Sequence, residues 1–184
     1  REACLTLDFP VISGNVSLYN ETEGKAILPT PAIGAVGLIK DLSKIVSVAP
    51  PKSGLTLILL GKTDGWLGCS LYLREIHGRE DGAPPPVDLT AERKVGDLVR
   101  NLIHQGSILA CHDLSDGGLA VALAEMCLAG NIGATVSLPS IIPPHAFLFG
   151  EDQGRYLVAT AAAPKVLEAA TKSGVTSLIL GQSG

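Results

Sequence analysis

Several side chains that could do chemistry are crowded just before a pair of glycines. The stretch 112–116 reads His-Asp-Leu-Ser-Asp and is followed by Gly117 and Gly118. Two glycines at a helix start leave backbone amides open to close approach by an anion. Asp113 and Asp116 stand beside those amides and could hold a divalent cation. The stretch therefore suggests a ligand-facing turn.

A structural interpretation of the same residues is also open. A histidine in a turn is more often a hydrogen-bonded structural residue than a catalyst, and two aspartates at a helix start are more often caps than metal ligands. We predict a strand over 107–111 and a helix over 119–128, with Ser115 or Asp116 as its N-cap and Gly130-Asn131 as its left-handed end. Because almost every residue of this helix is apolar, it is expected to be enclosed on all sides.

A second polar group lies near the start of the chain. Residues 11–18 are predicted to form a strand, which would place Asn15 and Ser17 on one face and Gly14 on the other. Such a polar row can line a ligand site or simply face water. A second, glycine-rich strand is predicted over 32–40.

The rest of the sequence alternates predicted helices and strands, which indicates a mixed α and β fold with a layered sheet. The proline-rich stretch 49–54 is the best linker, so we place a domain boundary there. The predicted strands are 55–60, 133–138, 156–161 and 175–180, and the predicted helices are a short one ending near residue 8, a short piece after Asp41, 69–76, 88–104 and 164–173.

Composition narrows the class of protein. Charged residues make up 17% of the chain and hydrophobic residues 46%, which predicts a large apolar interface. The net charge of −4, without long basic runs, argues against nucleic acid or an anionic membrane as the partner. The four cysteines are widely spaced in apolar runs, which indicates reduced core residues in a cytoplasmic protein. The sequence starts at Arg1 and its single methionine is Met126, so we expect a piece of a longer polypeptide.

Four motifs, taken in order, resemble the phosphoribosylformylglycinamidine synthase family, in its PurL-type synthetase component. They are SGNVSLYNET (13–22), ILPTPAIGAVGLIKD (27–41), HDLSDGGLAVALAEM (112–126) and GEDQGRYLV (150–158). The resemblance covers essentially the whole chain and implies an α+β, AIR synthetase-like C-terminal fragment. Residues 1–50 would end the second AIR synthetase N-terminal-like subdomain, and residues 51–184 would form the second C-terminal-like, layered α/β/α domain.

The resemblance also implies an activity. Such an enzyme is an ATP-dependent carbon–nitrogen ligase of purine biosynthesis, which converts formylglycinamide ribonucleotide, glutamine-derived ammonia and ATP to the amidine, ADP and phosphate. Its cofactors would be Mg²⁺ and ATP, and its partners the missing N-terminal part of the polypeptide and glutaminase (PurQ-type) and PurS-type subunits.

Site residues follow from the same resemblance. Gly14 would approach ATP, Asn15 would ligate Mg²⁺ and Ser17 would touch the substrate, while the catalytic residues would lie outside this piece. By internal pseudo-symmetry, Asp113, Asp116 and Glu151 would line an auxiliary nucleotide or metal site. The sequence departs from the family at Cys69, where a glycine-glycine-serine turn is common.

Two other functions stay open at this point. One is a non-catalytic module that docks the glutaminase and partner subunits. The other is a different ATP-using enzyme of the AIR synthetase superfamily, such as a small-molecule kinase.

Overall fold

The computed structural model describes residues 1–27, 30–140 and 142–184. In chain order its elements are α1 (Glu2–Thr6), β1 (Glu21–Thr22), β2 (Lys25–Ala26), a 3₁₀ turn (Leu42–Lys44), β3 (Thr56–Leu60), α2 (Leu71–His77), α3 (Leu89–His104), β4 (Ala110–Asp113), α4 (Gly118–Gly130), β5 (Ala134–Val136), α5 (Pro144–Phe149), β6 (Tyr156–Thr160), α6 (Ala163–Lys172) and β7 (Ser177–Ser183). None of the helices in the described ranges is both long and apolar enough to cross a membrane.

A five-stranded sheet, in the order β4-β6-β3-β7-β5, is the centre of the fold. All of its pairings are antiparallel. Strand β3 lies in the middle because the run Leu57–Leu60 is apolar on both faces and is at most 2% exposed. Its neighbours β6 and β7 come from the last thirty residues of the chain.

Helices cover both faces of the sheet, so the layers are α/β/α as the resemblance implies. Helices α3 and α6 pack against Ile58, Leu60 and Val158 on one face. Helices α4 and α5 pack against the residues that alternate with them, such as Leu59 and Leu157, on the other face. The two-residue period of the strands thus supplies two apolar cores.

Helix α3 confirms its sequence prediction. Asp88 is the N-cap, and its carboxylate accepts hydrogen bonds of 3.0 Å from the amides of Thr90 and Ala91. The buried face of the helix follows helical spacing and consists of Val95, Leu98, Val99 and Leu102.

The predicted strands over 11–18 and 32–40 are wrong, because the structure has no strand in either range. Their β-prone side chains are present, but a strand is stable only when its backbone groups pair with a neighbour. Among the described residues before 47, the two-residue hairpin of β1 and β2 is the one such pairing. The described residues within 9–46, a segment here called the arm, consequently expose large apolar side chains, such as Ile12 at 91% and Leu18 at 96%.

The helix α4 also departs from its prediction. Leu119, Ala122 and Met126 are buried against the sheet and α5, but Leu128 is 80% exposed. The prediction of a helix enclosed on all sides is therefore wrong, because the described residues cover only one side of it. Asn131 does end the helix in the left-handed conformation, with φ of 49°.

One strand boundary and one helix that was not predicted need smaller corrections. The strand predicted over 107–111 lies further along the chain: β4 spans Ala110–Asp113, and the amide of Leu109 just before it donates to the carbonyl of Ala159. Helix α5 was not predicted, although Pro144 in its first turn is a signal for a helix start.

Candidate functional site

The arm carries the first group of candidate residues. Gly14, Asn15 and Ser17 are all exposed. The hydrogen bonds around them are local: Ser17 donates to the carbonyl of Tyr19 over 3.5 Å, and Asn20 donates to the carbonyl of Ser17 over 2.8 Å. Within the described ranges, no hydrogen bond or ion pair joins these residues to the second group of candidates.

The second group lies where three loops meet, a place called here the junction: residues 61–70, 113–117 and 150–155. One oxygen of Glu151 accepts the amide of Gly117 over 2.8 Å and the amide of Leu71 over 2.9 Å. These amides stand at the starts of α4 and α2, so a single carboxylate caps two helices at once.

This arrangement corrects the predicted N-cap of α4. Gly117 is the N-cap, with φ of 77°, and it has no capping side chain of its own. Ser115 and Asp116 are exposed, and neither side chain caps the helix. The acceptor comes instead from Glu151, because the turn at 150–155 brings that carboxylate directly against the helix start.

Asp152 fixes the third loop of the junction. Its carboxylate oxygens accept the amide of Gly65 over 3.0 Å and the amide of Trp66 over 3.2 Å. The amide of Glu151 in turn donates to the carbonyl of Trp66 over 2.8 Å. The loop after β3 is therefore tied to the turn at 150–155 on both sides.

Arg155 is the buried support of the junction, with its side chain fully shielded from solvent. Its guanidinium donates to the carbonyl of Gly150 over 2.6 Å, to the carbonyl of Asp152 over 3.1 Å and to the hydroxyl of Thr63 over 3.3 Å. Burial lowers the pKa of Arg155, while the carboxylate of Asp152 acts against that shift. By donating to these three acceptors, the planar guanidinium of Arg155 fixes the conformation of the turn at 150–155.

Glycines let the three loops touch through their backbones. A side chain at Gly118 would collide with the carbonyl of Gly150 and would lie 3.0 Å from the carbonyl of Leu148. A side chain at Gly150 would lie 2.8 Å from the Cα atom of Gly65. The glycine pair at 117–118 therefore serves close packing of protein on protein in this structure.

His112 bridges β4 and α4. Its Nδ1 lies 2.6 Å from the carbonyl oxygen of Asp113, and its Nε2 lies 2.9 Å from the carboxylate of Glu125. Both partners are acceptors, so the ring makes both hydrogen bonds only when both nitrogens carry a proton. The side chain is 14% exposed, which is typical of a structural histidine.

Cys69, the departure from the family pattern, is exposed and is not the core residue that its apolar surroundings in the sequence predict. Its φ is +57°. Its thiol donates to the carbonyl of Gly82 over 3.1 Å. A glycine would adopt this conformation more readily, which explains why a glycine turn suits the position.

The three residues predicted to line an auxiliary site have different surroundings at the junction. Asp113 and Asp116 are exposed, and the Glu151 oxygen is already satisfied by two amides. Across the described ranges, no group of three or more His, Cys, Asp or Glu side chains is placed to hold a metal ion. In the arm, Asn15 offers one amide oxygen, a hard donor of the kind that Mg²⁺ accepts.

Comparison with known proteins identifies the fold. Residues 52–183 match the family model described as AIR synthase related protein, C-terminal domain. The arm precedes this match.

Sequence relatives extend over the arm as well. PurL subunits of phosphoribosylformylglycinamidine synthase from Bradyrhizobium sp. (strain BTAi1) and Acidiphilium cryptum are 57% and 59% identical over all of this chain. The PurL subunit from Rhodopseudomonas palustris is 63% identical over 85% of it. The chain spans about a quarter of the length of these relatives, namely 25%, 25% and 22%.

Solved structures agree on the fold. Thermotoga maritima PurL complexed with FGAR has a TM-score of 0.65 at 21% identity, covering 77% of this chain and 26% of that chain. The complex with ATP has a TM-score of 0.62 at 21% identity, covering 77% and 23%. Escherichia coli HypE, a hydrogenase maturation protein, has a TM-score of 0.53 at 22% identity, covering 76% and 46%.

Proposed function

The chain belongs to the AIR synthase-related proteins, and from this membership we propose that it is one part of a PurL-type phosphoribosylformylglycinamidine synthase. The observation that carries the proposal is the identity of 57% to a PurL subunit over the whole chain, arm included. The exposed apolar side chains of the arm support it too, because they suit a segment that packs against further protein.

The proposed reaction is that of the complete enzyme. ATP activates the amide oxygen of formylglycinamide ribonucleotide, ammonia from glutamine displaces phosphate, and the amidine, ADP and phosphate leave. Thermotoga maritima PurL has been solved with FGAR and with ATP, which supports these two ligands. Phosphoryl transfer depends mainly on positioning and charge neutralisation, so single polar contacts from this chain can contribute measurably.

We assign the arm residues to that site. Gly14 lets the backbone approach ATP, Asn15 provides one oxygen ligand to Mg²⁺, and Ser17 hydrogen-bonds the substrate. Their exposure supports this assignment, because none of the three is committed to the core of the chain. The other Mg²⁺ ligands and the catalytic residues would come from the remaining three quarters of a PurL-length polypeptide.

A chimera tests the proposal. The matching segment of Acidiphilium cryptum PurL, which is 59% identical, is replaced by this chain, and ATP-dependent amidine formation is measured with ammonia as donor. We expect the chimera to be active and Asn15→Ala to lower kcat/KM by about a hundredfold or more, since one ligand of a charge-neutralising ion is lost.

The matched control is Asn101→Ala, which removes the same group from an exposed position on α3. It should leave turnover unchanged. An inactive but folded chimera would remove the ligase proposal, and full activity of Asn15→Ala with unchanged Mg²⁺ dependence would remove the metal assignment.

A docking role is the second candidate, favoured by the exposed apolar side of α4 around Leu128. A PurLQS complex from Thermotoga maritima has been solved, which supports PurQ- and PurS-type subunits as partners. In this case Asn15→Ala would leave ammonia-dependent turnover intact, and Leu128→Asp would lower only the glutamine-dependent rate.

Two further assignments complete the proposal. We divide the chain into residues 1–50 and 51–184, a division supported by the family match that begins at residue 52. We place the enzyme in the cytoplasm, where its four cysteines, all free thiols, would stay reduced.

A further inference from the structure

A cavity of about 490 Å³ lies beside the junction, at the start of α3. Its wall is built from three separate stretches of chain, 62–66, 85–95 and 152–154. Asp152 holds the first and last of these stretches together, and the hydrogen bond from the Trp66 indole to the carbonyl of Ala83 ties the first of them to the chain just before 85–95. The cavity is thus preformed, and its volume is in the range of pockets that bind small molecules.

Part of the cavity lining is apolar. Trp66 is fixed there by a hydrogen bond of 2.8 Å from its indole nitrogen to the carbonyl of Ala83. Pro85, Pro86 and Val87 continue the same wall. A rigid indole next to prolines offers a flat surface to an apolar body or to a cation.

The carboxylates that line the cavity differ in whether they already have hydrogen-bond or ion-pair partners. Asp64 pairs with Lys62 over 2.9 Å, Asp88 caps α3, and Asp152 binds two amides of the junction. These three carboxylates therefore have partners of their own and serve the local structure.

Glu92 is different. In the described part of the chain its side chain makes no ion pair, and its carboxylate lies against the backbone of Gly154, with the hydroxyl of Tyr156 also close enough to feel its charge. Burial raises the pKa of Glu92, and the amide of Gly154 acts against the shift. The carboxylate is half-buried at the edge of the cavity, where a cationic partner would offset its desolvation.

We propose that this cavity binds a small organic cation, an amidinium, guanidinium or primary ammonium group on an apolar body. The body lies against Trp66 and the prolines, and the cation is hydrogen-bonded to Glu92. Anions are disfavoured, because four carboxylates and one lysine line the cavity. The inference does not depend on the ligase proposal, since it uses only residues 62–154 of the chain.

The single tryptophan of the chain provides the measurement. Emission of Trp66 is followed in the 184-residue chain during titration with benzamidine, a flat amidinium, and with benzamide, its neutral counterpart. We expect a saturable change with benzamidine and none with benzamide. Glu92→Gln should weaken binding at least tenfold, while Glu168→Gln, an exposed carboxylate on α6, should leave it unchanged.

A second variant tests whether binding needs the volume of the cavity as well as the charge of Glu92. Ala91→Phe fills the cavity from an exposed position on α3 and keeps Glu92, so it should also abolish binding. Circular dichroism confirms that each variant is folded. The proposal is overturned if wild type shows no saturable change, if benzamide binds as well as benzamidine, or if Glu92→Gln or Ala91→Phe binds like wild type.

Discussion

At the scale of single residues, Glu151 caps the starts of two helices, where two separate capping residues are usual. It accepts amides from the starts of α2 and α4, which lie far apart in the sequence. A carboxylate at this point holds a negative charge against the positive ends of two helices. The residue that resembled an auxiliary ligand is thus a clamp between elements.

Removing this clamp should cost stability. We expect Glu151→Ala to lower the free energy of unfolding by about 2 to 4 kcal/mol, because two hydrogen bonds to a charged acceptor are lost and two amides are left without it. Urea denaturation followed by circular dichroism measures the change.

The neighbouring Gln153→Ala is the control for Glu151→Ala. Gln153 is exposed and makes one long hydrogen bond of 3.4 Å, so its truncation should change stability by less than about 0.5 kcal/mol. Equal effects of the two substitutions would show that the clamp contributes nothing.

Cysteine reactivity follows from burial at the same scale. Burial raises the pKa of Cys111 to about 12, so its thiol stays protonated at pH 8, whereas Cys69 is exposed. Iodoacetamide at pH 8 should therefore alkylate Cys69 much faster than Cys111, as measured by peptide mass spectrometry. In denaturant, where burial is lost, the two rates should converge, and an equally fast reaction of Cys111 in the folded chain would contradict its burial.

Some residue roles could be predicted from the sequence and others could not. Asn131 was predicted as the left-handed end of α4 because the signal is local. The N-cap of the same helix was missed, because Glu151 reaches Gly117 from 34 positions further along the chain. Local rules name a nearby capping residue and do not detect one that arrives through the tertiary fold.

At the scale of elements, the contact between α4 and the turn at 150 depends on glycine. Gly118→Ala should destabilise the fold by about 2 to 4 kcal/mol, since it combines a φ of +62° with a clash against the carbonyl of Gly150. Thermal and urea unfolding measure the effect.

Gly106 offers a matched comparison. Its φ is +66°, but a side chain there meets nothing within 4 Å. Gly106→Ala should therefore lower the free energy of unfolding by only about 1 kcal/mol, which is the effect of the left-handed backbone conformation alone. If both variants lowered the free energy of unfolding equally, close packing at Gly118 would not be the cause of its destabilisation.

A helix or strand could be predicted where the chain contains both its sequence pattern and the element that it packs against or pairs with. Helix α3 has its cap and its apolar face within seventeen residues, and β3 finds β6 and β7 in the same domain. The ranges 11–18 and 32–40 have strand-like sequences, but the described chain provides no strand to pair with them. Their side-chain pattern was visible in the sequence, whereas the absence of a partner strand was not.

At the scale of the whole molecule, the arm and the layered domain should respond differently to a protease. Thermolysin cuts before large apolar residues, and the arm exposes many of them. We expect early cleavage within residues 9–46 and a longer-lived fragment that starts near residue 50, because the arm has few contacts that must open first. Intact mass spectrometry over time identifies the fragments, and early cuts within β3 or β6 would contradict the proposed division of the chain.

The register of the sheet also sets the order in which the chain can fold on the ribosome. Thr56 pairs with Thr160 on one side and with Gln182 on the other. The central strand β3 is therefore synthesised long before β6 and β7. Its apolar residues stay unpaired until those two strands have been translated. A nascent chain with this strand order completes its sheet late and is prone to aggregate before the sheet forms. Slow translation or a chaperone that holds unfolded chains should therefore change the yield of this protein more than that of a helical protein of equal length.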